Sequence, residues 1–362
     1  MARRRLESAI QAGKYIAEGK EYPDKFTSIK VEHDVSLEKE LEGVFSLQYS
    51  FDAKFLAVGC GNGTIRLYET STGKKVSDLR WSRYGGLPVM CLRFHPKKQT
   101  LLLAGTSAGY IYQCDIADFY ADGGAANNEE RFKELIKEER DENKNEINCL
   151  DFDYTYSSFA TGGKDLNIRI YDANTFQLKH VYEGYSTKKN PTEIQTAGCA
   201  GRIFALKYHP LYDDIFITGG WDNHLKIWDA RSNDGVKRTI WGPHICGDAL
   251  DLRDYDILTG SWTGKDALQI WDYTEGKVKK NVNFPSENGP MLYCCQFCDN
   301  DTVIAGGSGT NSTKAINTKT NQVLGEVKFE KPVHALDSTM GGRLFTVGDG
   351  GHCLKMCRLT ND

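Results

Sequence analysis

The chain has 362 residues, of which 45 are Lys or Arg and 49 are Asp or Glu, so its formal net charge is −4. Hydrophobic residues make up 40% and aromatic residues 11%, which is typical of globular proteins and excludes a wholly disordered, collagen-like or highly charged chain. The near-neutral balance predicts no nucleic-acid partner, because nucleic acids bind basic surfaces. The 36 glycines against 9 prolines favour many tight turns between strands.

The composition also predicts a compartment. No apolar run approaches the roughly 20 residues that a membrane-spanning helix needs, so we expect no membrane association. The N-terminal segment contains Glu7 and Glu18 and lacks the apolar region of a secretory signal. Eleven cysteines, an odd number without framework-like spacing, predict a reducing environment and hence a cytoplasmic protein.

Three landmarks recur in the same order seven times along the chain. The first is a small residue inside an apolar run, the second is a glycine 11 to 14 residues later, and the third lies nine or eleven residues beyond that glycine. The small residues are Ser46, Cys91, Cys149, Ala205, Ala249, Cys294 and Ala335, and the glycines are Gly59, Gly105, Gly162, Gly219, Gly260, Gly306 and Gly348. The third landmarks are Tyr68, Cys114, Tyr171, Trp228, Trp271, Ala315 and Cys357, of which Ala315 marks a degenerate sixth copy. Seven ordered copies predict a repeat architecture.

Each copy predicts four strands, as the first one illustrates. After an innermost strand around Ser46, residues 55–59 form an apolar second strand, and the glycines of residues 61–63 suit a hairpin turn. Residues 64–68 alternate as a third strand, and the Lys-rich residues 74–79 form a polar outer strand that protects the sheet edge. A small residue on the innermost strand suits a crowded central axis.

The two ends of the chain predict how the repeats close. Residues 1–24 show no strand pattern and form a predicted N-terminal arm, whereas residues 25–362 form the repeat domain. Residues 26–31 are an orphan strand, and the last copy ends near Leu359 without a fourth strand. We therefore expect the N-terminal strand to complete the last unit and remove its open edge.

Two connections are longer than the others. The first, residues 117–146, includes residues 132–138, which we interpret as the outer strand of the second unit, although the spacing of Phe132, Leu135 and Ile136 also fits a helix. The second, residues 185–200, is a predicted loop.

The third strands carry a family resemblance. Leu-Lys-Ile-Trp-Asp (225–229), Leu-Gln-Ile-Trp-Asp (268–272), Ile-Arg-Ile-Tyr-Asp (168–172) and Ile-Arg-Leu-Tyr-Glu (65–69) resemble the ends of WD40 repeats, and the period fits. Copies six and seven lack the Trp-Asp pair. The resemblance implies an all-β fold, a single seven-bladed β-propeller of WD40 type closed by an N-terminal strand. It implies a protein–protein interaction scaffold inside a larger multi-subunit assembly.

Motifs for catalysis and metal binding are weak. Residues 105–109 match the Gly-x-Ser-x-Gly nucleophile elbow, but they lie between two predicted strands and no helix follows. The cysteines of residues 294–298 could suggest metal, yet Cys294 takes the place of other small residues on an innermost strand. His95 and His209 lie in equivalent His-Pro turns. We predict no enzyme activity, no metal, no cofactor and no small-molecule substrate.

Partner-binding residues follow from the resemblance. In WD40-type propellers, the turns between second and third strands and the links between blades form one face around the channel. Trp and Arg are frequent anchors of protein interfaces. The predicted binding residues are Trp221, Trp262 and Lys164 in the turns, Arg202 before the fourth unit, and Trp81, Arg83 and Tyr84 in the first link. The alternative, left open, is that the rings of Trp221 and Trp262 pack on the turn of a neighbouring blade.

Two further resemblances suggest particular assemblies. The segment Trp228-Asp229-Ala230-Arg231 is similar to the box by which substrate receptors dock on the adaptor of cullin-4 ubiquitin ligases, with Asp229 and Arg231 as docking residues. Residues 241–250 resemble propellers of ciliated and flagellated cells, which implies a cytoskeletal or axonemal assembly in the cytoskeleton or cilium.

Overall fold

The computed structural model describes residues 26–82, 86–120, 132–140, 143–185, 198–299 and 301–361. These residues form seven four-stranded antiparallel sheets, the blades of one ring. Each innermost strand contacts the innermost strand of the next blade, and that of the last blade contacts that of the first. The predicted all-β seven-bladed propeller is therefore confirmed. The predicted arm of residues 1–24 lies outside the described residues.

The strands follow the chain in simple order within each blade, from the axis outward. Blades one to three contain β2 (Val44–Tyr49), β3 (Phe55–Cys60), β4 (Ile65–Glu69) and β5 (Lys75–Arg80); β6 (Val89–Phe94), β7 (Leu101–Thr106), β8 (Tyr110–Asp115) and β9 (Phe132–Lys137); and β12 (Ile147–Phe152), β13 (Ser158–Gly163), β14 (Ile168–Asp172) and β15 (Leu178–Tyr182). Blades four to six contain β16 (Ile203–Tyr208), β17 (Ile215–Gly220), β18 (His224–Asp229) and β19 (Val236–Trp241); β20 (Leu250–Arg253), β21 (Asp256–Gly260), β22 (Leu268–Asp272) and β23 (Lys277–Asn281); and β24 (Leu292–Phe297), β25 (Thr302–Gly307), β26 (Ser312–Asn317) and β27 (Val323–Lys328). Blade seven contains β28 (Val333–Thr339), β29 (Leu344–Asp349), β30 (Cys353–Thr360) and β1 (Ser28–Ser36).

Blade seven contains strands from both ends of the described chain. Its outer strand β1 pairs antiparallel with β30, from Ser28 opposite Thr360 to Ser36 opposite Cys353, with a bulge between Val31 and His33. The predicted closure by an N-terminal strand is confirmed. The strand runs to Ser36, five residues beyond the predicted end, because the ladder continues past the bulge.

The first two landmarks face each other across the two inner strands. Cys91 pairs directly with Gly105, and Cys149 pairs with Gly162. A Cβ atom on Gly105 would lie 2.6 Å from the Cys91 sulfur, closer than a real contact allows. A small residue and a glycine recur together because the next blade packs directly against this pair of strands.

The third landmark anchors the third strand inside the ring. Trp228 and Trp271 are buried, and each indole Nε1 donates to a threonine on the second strand of its own blade at 2.9 Å, Thr218 and Thr259 respectively. In blade three the Tyr171 hydroxyl instead donates to Glu138 at 3.0 Å. The carboxylate of Glu138 is fully buried and also accepts from Thr161, Asn145 and Arg169.

Most innermost strands contain a bulge directly after their first residue. In six of the seven blades, one residue immediately before the small landmark is left out of the ladder with the second strand. A bulge re-aims the extra side chain and bends the strand. Phe204 is the extra residue of blade four, and it becomes important for the site below.

The two long connections are only partly described. Residues Phe132–Lys137 pair with Tyr110–Asp115 as β9, so the strand interpretation is confirmed and the helical alternative is wrong. A short hairpin follows, β10 (Glu139–Arg140) with β11 (Asn143–Lys144). Most of the predicted loop 185–200 lies outside the described residues. The helices of the described chain are three single 3₁₀ turns, Lys39–Leu41, Ala117–Tyr120 and Met340–Gly342. In the described ranges no helix combines the length and hydropathy needed to cross a bilayer.

Candidate interaction face

The propeller has two ends, which we call the upper and lower faces. The upper face consists of the turns between second and third strands and the links between blades. The lower face consists of the turns between first and second strands and between third and fourth strands. Trp221 and Trp262 lie in upper-face turns of the adjacent blades four and five, as predicted from the repeat spacing.

Trp221 is held from one side and open on the other. Its ring centroid lies 5.3 Å from that of Phe204, the bulged residue of its own blade. The Arg202 guanidinium lies 5.1 Å from the ring centroid, and indole Nε1 donates to the Cys246 sulfur at 3.2 Å. The side chain is nevertheless 45% exposed. Contacts within its own blade and with the following link fix the ring, while part of it stays exposed.

Trp262 lies across the same link from Trp221. Its backbone N–H donates to the carbonyl of His244 at 2.8 Å, and its side chain is 42% exposed. The link of residues 242–247 therefore runs between the two tryptophans, with Cys246 against Trp221 and His244 against Trp262. Both rings are on one face and one blade apart.

Trp241 is a third tryptophan at this end of the propeller, and the sequence reasoning did not select it. It is the last residue of β19, it is 71% exposed, and its ring meets that of His224 edge-on at 4.7 Å. Its position at the upper end of an outer strand could have indicated exposure, because no neighbouring blade covers a large aromatic residue there. We call Trp221, Trp241 and Trp262 the tryptophan patch.

Lys164 and Arg202 are brought together by a residue that the sequence did not indicate. The Lys164 ammonium lies 2.5 Å from Glu146 Oε1, and Arg202 Nη1 lies 2.9 Å from Glu146 Oε2. Arg202 also lies over Trp221, so these charges continue the tryptophan patch toward blade three. The pairs are partly exposed, so they orient side chains more than they stabilise the fold.

The remaining predicted residues lie elsewhere. Trp81 is exposed at the end of β5 in blade one, three blades around the ring from Trp221. Arg83 and Tyr84 lie outside the described residues. Arg231 is on the lower face, where its guanidinium makes two bonds of 2.9 Å to the Asp229 carboxylate. The hydrogen bonds from Arg231 lower the pKa of Asp229.

A polar ring lines the central channel, and the sequence reasoning overlooked it. The residue two positions after each small landmark is polar in every blade, and all seven of these side chains line one cavity. We call them the channel ring: Gln48, Arg93, Asp151, Lys207, Asp251, Gln296 and Asp337. Its aspartates join neighbouring blades, since Asp337 accepts the Tyr49 N–H at 2.8 Å and Asp151 accepts the Tyr208 N–H at 2.9 Å.

The weak chemical motifs of the sequence occupy structural positions. Residues 105–109 run from the end of β7 through the turn to β8, so a strand lies on each side of the motif, as interpreted from the sequence. Nδ1 of His95 and of His209 accepts backbone N–H groups of its own turn, and burial lowers the pKa of both rings. In the portion of the chain covered by the structure, no group of three or more His, Cys, Asp or Glu side chains is placed to hold a metal ion.

Comparison with known proteins agrees with this architecture. The family model described as the WD domain, G-beta repeat, matches residues 135–172 and 192–229, and that of the anaphase-promoting complex subunit 4 WD40 domain matches residues 29–97. Together with the seven blades, these matches define the class of protein. The chain is a seven-bladed β-propeller that contains WD40 repeats.

Its relatives are distant. WD repeat-containing protein slp1 of Schizosaccharomyces pombe is 22% identical over 270 residues, which are 74% of this chain and 48% of that protein. Cell division cycle 20.1, cofactor of APC complex, of Arabidopsis thaliana is 20% identical over 78% of this chain and 56% of its own length. Anaphase-promoting complex subunit cdc20 of Dictyostelium discoideum is 21% identical over 78% of this chain and 50% of its own length. The chain thus spans about half the length of the curated relatives it matches. These comparisons give no support to a cullin-4 receptor or to a cytoskeletal or axonemal assembly.

Proposed function

We propose that this propeller is a non-catalytic protein-interaction subunit of a multi-subunit intracellular complex, and that a protein partner binds the tryptophan patch. The observation that carries the proposal is the pair of half-exposed tryptophans, Trp221 and Trp262, on either side of one inter-blade link. Rigid aromatic side chains that keep an open face lose little conformational entropy on binding, which is why they dominate interface energetics.

The surroundings of the patch support the same function. Trp241 adds a third exposed ring at the same end of the propeller, and Arg202 and Lys164 form a polar rim that is fixed by Glu146. An apolar centre with a polar rim is the usual anatomy of a protein–protein interface. A propeller of seven packed blades presents such a patch with little rearrangement, so we expect partners to bind a preformed surface.

The relatives support a place in a large assembly. One is named a cofactor of the APC complex and another a subunit of the anaphase-promoting complex, so we propose a comparable subunit role for this chain. All eleven cysteines are free, which supports the proposed cytoplasmic location, a reducing compartment.

The test is a paired measurement of binding and stability. The full chain carrying Trp221→Ala and Trp262→Ala is expressed with a tag in its native cells, and co-purifying proteins are quantified against the unsubstituted chain. The matched control is Leu178→Ala with Val278→Ala, two exposed apolar residues on the outer strands of blades three and five.

If the patch anchors a partner, the tryptophan double variant loses about 2–4 kcal/mol of association, and its partners disappear from the purification while the control retains them. Its melting temperature should stay close to that of the control. Full partner recovery together with a lowered melting temperature would instead establish the packing role of the two rings and refute the proposal.

A further inference from the structure

The lower mouth of the channel holds a cavity of about 180 Å³ that the proposed function does not use. It is bounded by the channel ring and by the turns between first and second strands, and every blade contributes to it. The tryptophan patch lies at the opposite face. The cavity is therefore a separate surface with its own chemistry.

The upper boundary of this cavity is a neutral ion network. Arg93 contacts Asp151 at 3.3 Å and Asp248 at 3.2 Å, and Lys207 contacts Asp248 at 3.0 Å. Two cations and two carboxylates thus compensate one another across the channel. Both cations therefore already have carboxylate partners before the other acids of the cavity are counted.

Those other acids make the cavity negative. Four carboxylates line it against two basic side chains, and the lining histidines His95 and His209 have a lowered pKa because they are buried. Among the described residues, Asp337 accepts hydrogen bonds from neutral donors: Gln48, Gln296 and a backbone N–H. A cleft of one charge sign with apolar walls concentrates its field on an approaching ligand.

A row of exposed tyrosines flanks the cavity on the lower face. Tyr154, Tyr212 and Tyr255 lie in equivalent turns of three consecutive blades, and the hydroxyls of Tyr212 and Tyr255 are 3.0 Å apart. The adjacent residues Asp213 and Asp254 add acidic groups to the same turns.

Two arginines at this end are already engaged, whereas Lys97 and Lys98 are exposed in the equivalent turn of blade two, two blades away from Tyr212. The guanidinium of Arg231 is bonded to Asp229, and that of Arg253 lies 4.3 Å from the ring centroid of Phe297. The tyrosine rings are neutral, and it is the adjacent Asp213 and Asp254 that extend the negative character of the cavity onto the surface.

From this arrangement we infer a second protein-binding surface: the lower mouth of the channel binds a basic peptide segment, with an Arg or Lys side chain entering the cavity and apolar neighbours lying on the tyrosine row. Carboxylates in a recessed cavity favour a cation, and tyrosine rings favour both cations and apolar side chains. A subunit with binding surfaces at both ends can bridge two proteins.

The probe is a phage-displayed library of random peptides, selected on the full-length chain. Selected phage are then sorted by whether they still bind the double variant Tyr212→Ser with Tyr255→Ser, whose melting temperature is measured first. Peptides that depend on the tyrosines are synthesised, and their affinities are measured by fluorescence anisotropy. A second variant, Asp213→Lys, reverses one exposed charge and leaves the tyrosines in place.

We expect the tyrosine-dependent peptides to carry net positive charge, with Arg or Lys beside aromatic or aliphatic residues. Their affinity should fall roughly tenfold in Asp213→Lys and should weaken with rising salt, while Trp221→Ala with Trp262→Ala binds them unchanged. Selection of neutral or acidic peptides, of none that depend on the tyrosines, or of peptides insensitive to Asp213→Lys would overturn the inference. Loss of binding in the tryptophan variant would assign the peptides to the upper face and also overturn it.

Discussion

Arg93 and Asp248 are 155 positions apart in the sequence, yet guanidinium Nη2 of one lies 3.2 Å from carboxylate Oδ2 of the other. Arg93 belongs to blade two and Asp248 to the link that enters blade five, so the ion pair crosses the central channel. Burial alone raises the pKa of Asp248, but Lys207 and Arg93 outweigh it and bring the pKa to about 2. The network holds opposite sides of the ring together.

Replacing Asp248 with Asn should therefore destabilise the propeller. The change removes the carboxylate that faces both Lys207 and Arg93, and we expect a loss of about 2 kcal/mol, less than for a fully buried pair because Asp248 is partly exposed to the channel. Urea unfolding of the variant measures this loss. Asp213→Asn, a substitution on the exposed lower face, is the control and should change stability by less than about 0.5 kcal/mol.

The stability lost in Asp248→Asn should also depend on pH. The folded-state pKa of Asp248 lies below its ordinary value of 3.8, so the carboxylate stabilises the fold above about pH 4. As the pH falls toward 2, the carboxylate becomes protonated. The difference in unfolding free energy between the unsubstituted chain and Asp248→Asn should then shrink. A difference that stays constant down to pH 2 would show that the charge of Asp248 contributes nothing.

The buried carboxylate of Glu138 should contribute strongly to the stability of the fold. Its carboxylate accepts four donors, among them Arg169 at 3.2 Å and Tyr171 at 3.0 Å. In Glu138→Ala the Tyr171 hydroxyl and the other neutral donors lose this buried acceptor, while Arg169 keeps only Asp165, so the unfolding free energy should fall by about 3–5 kcal/mol. The neighbouring Glu139 is half-exposed and pairs with Lys137, so Glu139→Ala is a matched control that should leave stability nearly unchanged. Equal effects of the two substitutions would contradict the assigned role.

Closure of the ring depends on the N-terminal strand. Deleting residues 1–35 removes all but the last residue of β1 and exposes the edge of β30, so cooperative unfolding should be lost or shifted to a much lower temperature. Deleting residues 1–24 keeps the whole of β1, and we expect a folded protein. Calorimetry of both truncations tests the closure, which would be refuted by an unchanged melting transition in the longer deletion.

The cysteines should divide into two reactivity classes. Cys91, Cys149 and Cys294 are buried on innermost strands, and burial raises the pKa of Cys91 to about 12. We expect these three thiols to resist a thiol reagent until the protein unfolds, since the thiolate is the reactive form. Cys246 and Cys353 are partly exposed, but burial and the hydrogen bond to Asp34 raise the pKa of Cys353 to about 12, so we expect Cys246 to react first in the native protein. Mass spectrometry of partly labelled protein distinguishes the sites, and early labelling of Cys294 would show that the inner strands open.

The sequence by itself determined the repeat, the closure and the positions of the turns. These features depend on patterns within one blade: a small residue such as Cys91 must oppose a glycine such as Gly105 because the next blade packs on both. The same local spacing placed Trp221 and Trp262 on one face, because equivalent turns of adjacent blades project at the same end of the propeller.

Tertiary structure decided which side chains meet. Glu146 joins Lys164 to Arg202, and Arg93 reaches Asp248, because closing a ring brings together residues that are far apart in the chain. The channel ring depends on both the sequence and the tertiary structure. Its polar positions repeat in the sequence, but the seven side chains line one cavity only because the blades close into a ring. Trp241 illustrates both levels, since its place at the end of an outer strand follows from the sequence, whereas its exposure depends on the absence of a blade that would cover it.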